Sequence, residues 1–464
     1  MTSPDVLDAA VQAARSYLAT LPGRPVGARA SLQDLRAALG GPLPQEGTDP
    51  ARVVTDLARN ADPGIVATAG PRYFGFVVGS TLPAALGADW LTSAWDQNAG
   101  IYVLSPAASV VEEIAITWLL ELFGLPATAS IGFVTGCQMA NATCLAAARH
   151  AVLRKAGWDV EQQGLYGAPE IDVVVGGEAH ITIFAALRYL GLGAARVRTV
   201  PVDGQGRMRP DKLREALAGT IGPMIVCAQA GNVNTGAFDP IDEIATITRE
   251  RGAWLHVDGA FGLWAATSPK CQGLTKGVGR ADSWATDAHK SLNVPYDSGI
   301  AIVADREAHY SSMTATAAYL VKAADDRRDP EDWTPEFSRR ARGFAVYAAI
   351  KSLGRRGVSD MIERSCAQAR LMAEKLKQGR GVEVLNDVVY NQVLVRFHPD
   401  GGGGPDAHTK AVIDRVQQDG TCWLAGTTWQ GKGAMRISVS GWSTSDEDIA
   451  RSADAILKAS GGRS

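Results

Sequence analysis

Seven short apolar runs separated by stretches of helical periodicity constrain this chain more than any other feature. They are IGFVT (131–135), IDVVVG (171–176), ARVRTVPV (195–202), PMIVCAQ (223–229), AWLHVDG (253–259), DSWATD (282–287) and GIAIVAD (299–305). Most are continuously apolar instead of alternating, which is the pattern of strands buried on both faces. Helical stretches between them imply crossovers, so the pattern predicts an α/β fold with a mainly parallel central sheet and helices on both faces. Ahead of it, DVLDAAVQAARSYLATL, SLQDLRAAL and SVVEEIAITWLLELFGLP read as helices, the last closed by Gly124 and Pro126. From about Tyr347 a long amphipathic segment leads to strands VEVLN, NQVLVRF and GAMRISVS and a closing helix DEDIARSADAILKAS. The expected division is an N-terminal helical segment (1–75), a large α/β domain (76–345) and a small C-terminal α+β domain (346–464).

Composition narrows the function classes. A formal net charge of -3 over 464 residues offers no basic field for nucleic acid or an anionic membrane. No segment has the apolar length of a membrane span, and the N-terminus lacks the basic and apolar blocks of a secretory signal. The six cysteines have no metal-ligand spacing and read as buried free thiols. A cytoplasmic protein is expected. There is no G-x-x-x-x-G-K-[ST] loop, nor a G-x-G-x-x-G turn after the first strand, which argues against nucleotide binding.

In an open α/β sheet, ligands bind beyond the C-terminal ends of the strands, so polar residues placed there are the candidates. Gly136-Cys137-Gln138 comes after the first run and opens a helix, where backbone N–H groups and the dipole suit a phosphate. His180 comes after the second, Asp258 closes the fifth, and Lys290 comes after the sixth in WATDAHKSLNVPYDSG. Taken singly, each has an ordinary reading: a generic turn, a structural histidine, a helix cap, a surface charge. Taken together they are what pyridoxal phosphate chemistry requires: an anion cradle, a ring to stack on the pyridine, a carboxylate for its nitrogen and an amine for the aldehyde. The amine must shed its proton, and desolvation near other cations is expected to depress the Lys290 pKa.

TDAHKSLNVPYDSG resembles the His-Lys-x-Leu-x-x-Pro-Tyr-Asp signature of the group II pyridoxal-phosphate-dependent amino acid decarboxylases, and HVDGAFG supports the likeness. That family includes the aromatic amino acid, glutamate and diaminobutyrate decarboxylases and has the aspartate aminotransferase (type I) fold. The resemblance runs from RYFGF (72–76) and VLSPAASVVEE (103–113) to GKGAMRISVSGWSTSDEDI (431–449). It implies pyridoxal 5′-phosphate held covalently by Lys290, with Asp258 at the pyridine nitrogen. It places His180 and Ala260 on opposite ring faces. Gly136, Cys137, Gln138 and His289 would lie near the phosphate and Asn234 near the cofactor. Two departures stand out. Gln138 replaces the usual small hydroxyl, and Gly259 stands where alanine is commoner, which would loosen the packing behind Asp258.

The implied reaction is decarboxylation of an L-amino acid to the amine and carbon dioxide. Tyr319, ahead of the charged run DDRRDPEDWTPE, matches a tyrosine on a mobile lid that protonates the α-carbon. Relatives with phenylalanine there release aldehyde. The resemblance builds the side-chain pocket from Phe76, Val77 and Val78 of one subunit and the 95–100 region of its partner, with Asn98 and Gly100. It thereby implies a homodimer with a shared active site. The apolar set favours an aromatic or bulky substrate. Arg436 lies where aminotransferases of this fold clamp the substrate carboxylate, although a structural role is open to it. Aldehyde-forming deamination, transamination or another lyase reaction stay open, as does a catalytically silent cofactor-binding protein.

Overall fold

The structure, a computed structural model, describes residues 4–315 and 327–461. The chain divides into two compact units. One comprises residues 1–78, 371–384 and 394–464, and the other residues 79–370 and 385–393.

The second unit carries the seven-stranded sheet. Its strands are β1 (Ser130–Val134), β2 (Asp172–Gly176), β3 (Arg198–Val200), β4 (Met224–Gln229), β5 (Trp254–Asp258), β6 (Ser283–Asp287) and β7 (Gly299–Val303), in the order β1-β7-β6-β5-β4-β2-β3. Each of the seven apolar runs forms a strand. β3, at the sheet edge, is the shortest, and its run ARVRTVPV is only partly buried. The pairs β2–β3, β2–β4, β4–β5 and β5–β6 are parallel, while β7 is antiparallel to both of its neighbours. β1 therefore runs in the same sense as β6, and the C-terminal ends of β1, β2, β4, β5 and β6 share one edge. The helix Cys137–Lys155 lies against the sheet through Ala140, Cys144, Ala147 and Ala148, small side chains with no exposed surface.

The first unit combines the N-terminal helices Pro4–Thr20, Leu32–Leu39 and Pro50–Ala61 with a second sheet. That sheet contains β8 (Val382–Val384), β9 (Gln392–Phe397), β10 (Ala425–Trp429) and β11 (Lys432–Ser438), in the order β10-β11-β9-β8. The sequence pattern predicts three of these strands and misses β10. AGTTW is weakly apolar, and its hairpin to β11 turns through Gln430 and Gly431, both with positive φ. A turn of that kind ordinarily announces itself as Asn-Gly or Asp-Gly, and glutamine conceals it.

The run DDRRDPEDWTPE is described from Arg327, and in that part Arg328, Asp329, Glu331, Asp332 and Trp333 are buried. The guanidinium groups of Arg306 and Arg328 stack over the Trp333 ring at 4.5 and 4.9 Å, and the Tyr102 amide donates to Asp329 at 2.8 Å. Partners from other segments hold several of these charges: besides the Tyr102 amide on Asp329, the Ile131 carbonyl accepts from Arg328 and the Thr314 hydroxyl donates to Asp332. Among the described residues no helix is long and apolar enough to cross a membrane.

Candidate active site

Two buried carboxylates organise the shared strand edge. Asp258 ends β5 and is 4% exposed. Its Oδ1 accepts from the Ala260 amide at 3.2 Å and from the Cys137 thiol at 3.5 Å, and its Oδ2 from Asn141 Nδ2 at 3.4 Å. Burial, reinforced by Asp258 and Asp287, pushes the Cys137 thiol well up, so the sulfur keeps its hydrogen and donates. Among the described residues no cation is ion-paired with Asp258. A carboxylate buried in that state is costly unless a cationic partner arrives.

Asp287 ends β6 and has no prominence in the sequence, although it stands three residues before Lys290 in TDAHK. Its Oδ1 accepts from the Cys137 amide at 2.6 Å, and its Oδ2 lies 3.1 Å from Lys290 Nζ. The Asp287 amide in turn donates to the Ala260 carbonyl at 2.9 Å. Cys137 thus touches both carboxylates, and Ala260 bonds the Asp258 carboxylate and the Asp287 backbone, tying the helix start to the ends of β5 and β6.

The Lys290 pKa departs from expectation. Burial pushes it down, but Asp287, together with Asp258, outweighs that and holds the ammonium above the ordinary lysine value. The neighbours that decide the charge are anions, where the sequence suggested cations. His289 accepts from the Ser298 amide through Nδ1 at 3.2 Å and stacks on Tyr296 at 4.1 Å. Burial lowers its pKa, so the ring is neutral and its hydrogen sits on Nε2, 3.5 Å from Asp287.

Gly136 precedes the helix Cys137–Lys155 and has no side chain to cap it, and of the first amides that of Cys137 is taken by Asp287. A Cβ on Gly299 would stand 2.4 Å from the Gly136 carbonyl carbon, so the Gly299 backbone closes directly on this turn. Gln138 turns outward and donates to the Tyr189 hydroxyl at 3.1 Å. Gly259 does not loosen its surroundings: a Cβ there would stand 2.8 Å from Leu263 Cβ, so glycine is what permits the close packing.

His180 is the N-cap of the helix Ile181–Tyr189, with Nδ1 2.8 Å from Thr182 Oγ1. It also lines one small cavity with Asp258, Ala179 and Cys227, so it combines a structural role with a place in the cleft. Asn234 lies in the turn after β4, where its amide donates to Asn232 Oδ1 at 2.9 Å. Asn98 Oδ1 accepts from the amides of Gly100 and Arg339, both at 3.1 Å, so this oxygen is committed to holding its own loop. Phe76, Val77 and Val78 belong to the first unit. Phe76 and Val77 have φ of 53° and 56°, a strained conformation for such side chains. The Phe76 ring is 56% exposed, with the Trp423 ring at 5.6 Å and the Arg436 guanidinium at 5.9 Å. Tyr319 lies outside the described residues.

These residues fit pyridoxal phosphate. The Gly136 turn at the helix start with the His289 N–H nearby suits the phosphate, Lys290 offers the amine, and Asp258, without an ion-pair partner among the described residues, suits a protonated ring nitrogen. Comparison with known proteins agrees. Residues 33–398 match the pyridoxal-dependent decarboxylase conserved domain. The chain is 30% identical to the acidic amino acid decarboxylase GADL1 of Bos taurus over 385 residues, covering 79% of this chain and 73% of that protein. It is 27% identical to the 4-hydroxyphenylacetaldehyde synthase of Rhodiola rosea over 430 residues, 88% and 85% of the two chains. In fold it resembles the crystal structure of Oryza sativa TDC with PLP and tryptamine. The TM-score is 0.90 at 24% identity, and the match covers 99% of this chain and 98% of that one. With the type I fold and a conserved domain matched across most of its length, the chain belongs to the pyridoxal-dependent amino acid decarboxylases, carboxy-lyases whose cofactor is pyridoxal 5′-phosphate.

Proposed function

We propose that this protein decarboxylates an aromatic or otherwise bulky L-amino acid to its amine, with Lys290 as the cofactor-bearing amine and Asp258 as the partner of the ring nitrogen. The observation that carries the site assignment is the buried Asp258 carboxylate without an ion-pair partner, linked through Cys137 to the Asp287–Lys290 pair. When bound, the cofactor supplies an electron sink for the pair left at the substrate α-carbon as carbon dioxide departs. Lys290 reacts only as the free amine, and Asp287 Oδ2, at 3.1 Å, is the acceptor placed to take its proton. The Asp258 carboxylate would hold a proton on the ring nitrogen, and its burial excludes the water that would weaken that bond. His180 and Ala260 would hold the two ring faces. His289 and the turn Gly136-Cys137-Gln138 would hold the phosphate. Tyr319 would supply the proton for the α-carbon, and its failure to do so would give aldehyde in place of amine.

An aromatic or bulky substrate is favoured by the exposed Phe76 ring beside Trp423 and Tyr73. A second reading, an acidic substrate, is favoured by Arg436. Its guanidinium is 8% exposed, has no hydrogen bond or ion pair with a described residue, and lies over Phe76. An uncompensated buried cation invites an anion. The deciding experiment measures carbon dioxide, amine and aldehyde from aromatic and acidic L-amino acids with the native protein and with Arg436→Gln. Aromatic turnover that survives the substitution supports the first reading. A loss on the order of 10²-fold in kcat/KM, confined to acidic substrates, supports the second. Release of aldehyde without amine would overturn the proposed outcome of the reaction.

A homodimer is part of this proposal. In one chain the helices Leu32–Leu39 and Pro50–Ala61 have no buried residue, and Leu32, Leu39, Val53 and Leu57 are exposed. A second copy would cover apolar surface of this kind. Sedimentation equilibrium is expected to return twice the mass of one chain, and a single-chain mass at micromolar concentration would refute it.

A further inference from the structure

β5 carries polar-capable side chains at alternate positions on one buried face: Trp254, His256 and Asp258. His256 pairs across the sheet with Ser283 of β6, so these two side chains stand side by side. The helix Cys137–Lys155 brings Asn141 to the same place. Four contacts join these groups. Trp254 Nε1 donates to Ser283 Oγ at 2.9 Å, and Ser283 Oγ lies 2.9 Å from His256 Nδ1. His256 Nε2 lies 2.9 Å from Asn141 Oδ1, and Asn141 Nδ2 points at Asp258 Oδ2 at 3.4 Å. Ser283, His256 and Asn141 have no exposed surface.

The direction of the bonds is set from the carboxylate. A carboxylate can only accept, so Asn141 turns its amide hydrogens to Asp258 Oδ2 and its Oδ1 to His256 Nε2, which must carry the imidazole hydrogen. Nδ1 is left to accept from the Ser283 hydroxyl, and the Trp254 indole N–H, which can only donate, takes a lone pair of Ser283 Oγ. The opposite tautomer would set Asn141 Oδ1 against the Asp258 oxygens. Burial pushes the His256 pKa down to about 4, so at neutral pH the ring carries the single N–H that this arrangement needs.

We propose that Trp254, Ser283, His256 and Asn141 form a one-way hydrogen-bond relay that positions the Asp258 carboxylate for the cofactor's ring nitrogen, which makes His256 a positioning residue. The inference rests on the assignment of Asp258 to the ring nitrogen. None of the four side chains need touch substrate or cofactor. The relay acts by fixing where Oδ2 stands, as outer partners of a ligating group commonly do.

The test compares binding of two probes to the apo-protein by equilibrium titration: pyridoxal 5′-phosphate and its 1-deaza analogue, in which C–H replaces the ring nitrogen. The native protein is expected to prefer pyridoxal 5′-phosphate by about tenfold or more, the effect of one charge-assisted buried hydrogen bond. His256→Phe and Asn141→Ala should bring that preference close to one while affinity for the deaza analogue holds. His256→Gln, which keeps an N–H near the Nε2 position, should restore it. Should His256→Phe fail to fold, Asn141→Ala provides the same reading. Variants that bind both probes more weakly by equal factors would show a packing role and overturn the relay. A native protein that does not distinguish the probes would overturn the Asp258 assignment and the relay with it. Discrimination that survives in His256→Phe would overturn the relay alone.

Discussion

Lys290→Ala is expected to lose covalent attachment of the cofactor and to lower turnover by at least ~10³-fold, because no other amine in the cluster can take its place. The structure gives the loss a second component. Lys290 is the cation paired with Asp287 at 3.1 Å, and Asp287 is 2% exposed and in contact with the Cys137 amide. Removing the ammonium leaves a buried carboxylate without its cation beside the site proposed for a phosphate, so cofactor affinity should fall as well. Borohydride reduction and then peptide mass mapping should place the label on Lys290 in the native protein and nowhere in the variant. Retained turnover, or a label on another lysine, would remove the basis for the whole site.

Asp258→Ala should have the next largest effect, on the order of 10³-fold in kcat, since the carboxylate is proposed to stabilise charge that develops on the ring as the α-carbon bond breaks. Asp258 carries no counter-ion among the described residues, so its removal breaks no ion pair and should cost stability little by that route. Thermal unfolding of the apo-variant should therefore stay close to that of the native protein while kcat collapses. A variant that loses stability and activity in parallel would point to a structural carboxylate. Asp258→Asn tests charge separately from shape. An amide of the same size that restores activity would show that the negative charge is dispensable.

The sheet was legible because strands covered on both faces are mostly apolar throughout, and most of the seven runs have that pattern. The hairpin of β10 and β11 was not, since one of its strands is half-exposed and its turn uses Gln430 in a conformation better suited to asparagine. Of the candidate residues, Lys290, Asp258 and His180 were visible by their place after apolar strands, because polar groups there are expensive to bury without a purpose. Asp287 lay in plain view within TDAHK, but in the sequence it reads as one more polar residue of a turn. Its charge matters only because β6 ends beside the start of the helix Cys137–Lys155, 150 residues earlier in the chain.

The chain by itself determined the order of strands and helices, the edge at which chemistry could occur, and the amine and carboxylate suited to a pyridoxal cofactor. These come from local rules: burial demands apolar side chains, and the end of a buried strand delivers the next residues of the chain to the sheet edge. Tertiary structure alone decided the charge state of Lys290, the packing that Gly259 permits, the burial of residues 328–333, and the relay from Trp254 to Asp258. Each depends on which groups distant in sequence come within a few ångströms. Electrostatic and hydrogen-bond energies vary steeply over that distance, while hydrophobic patterning along a strand does not.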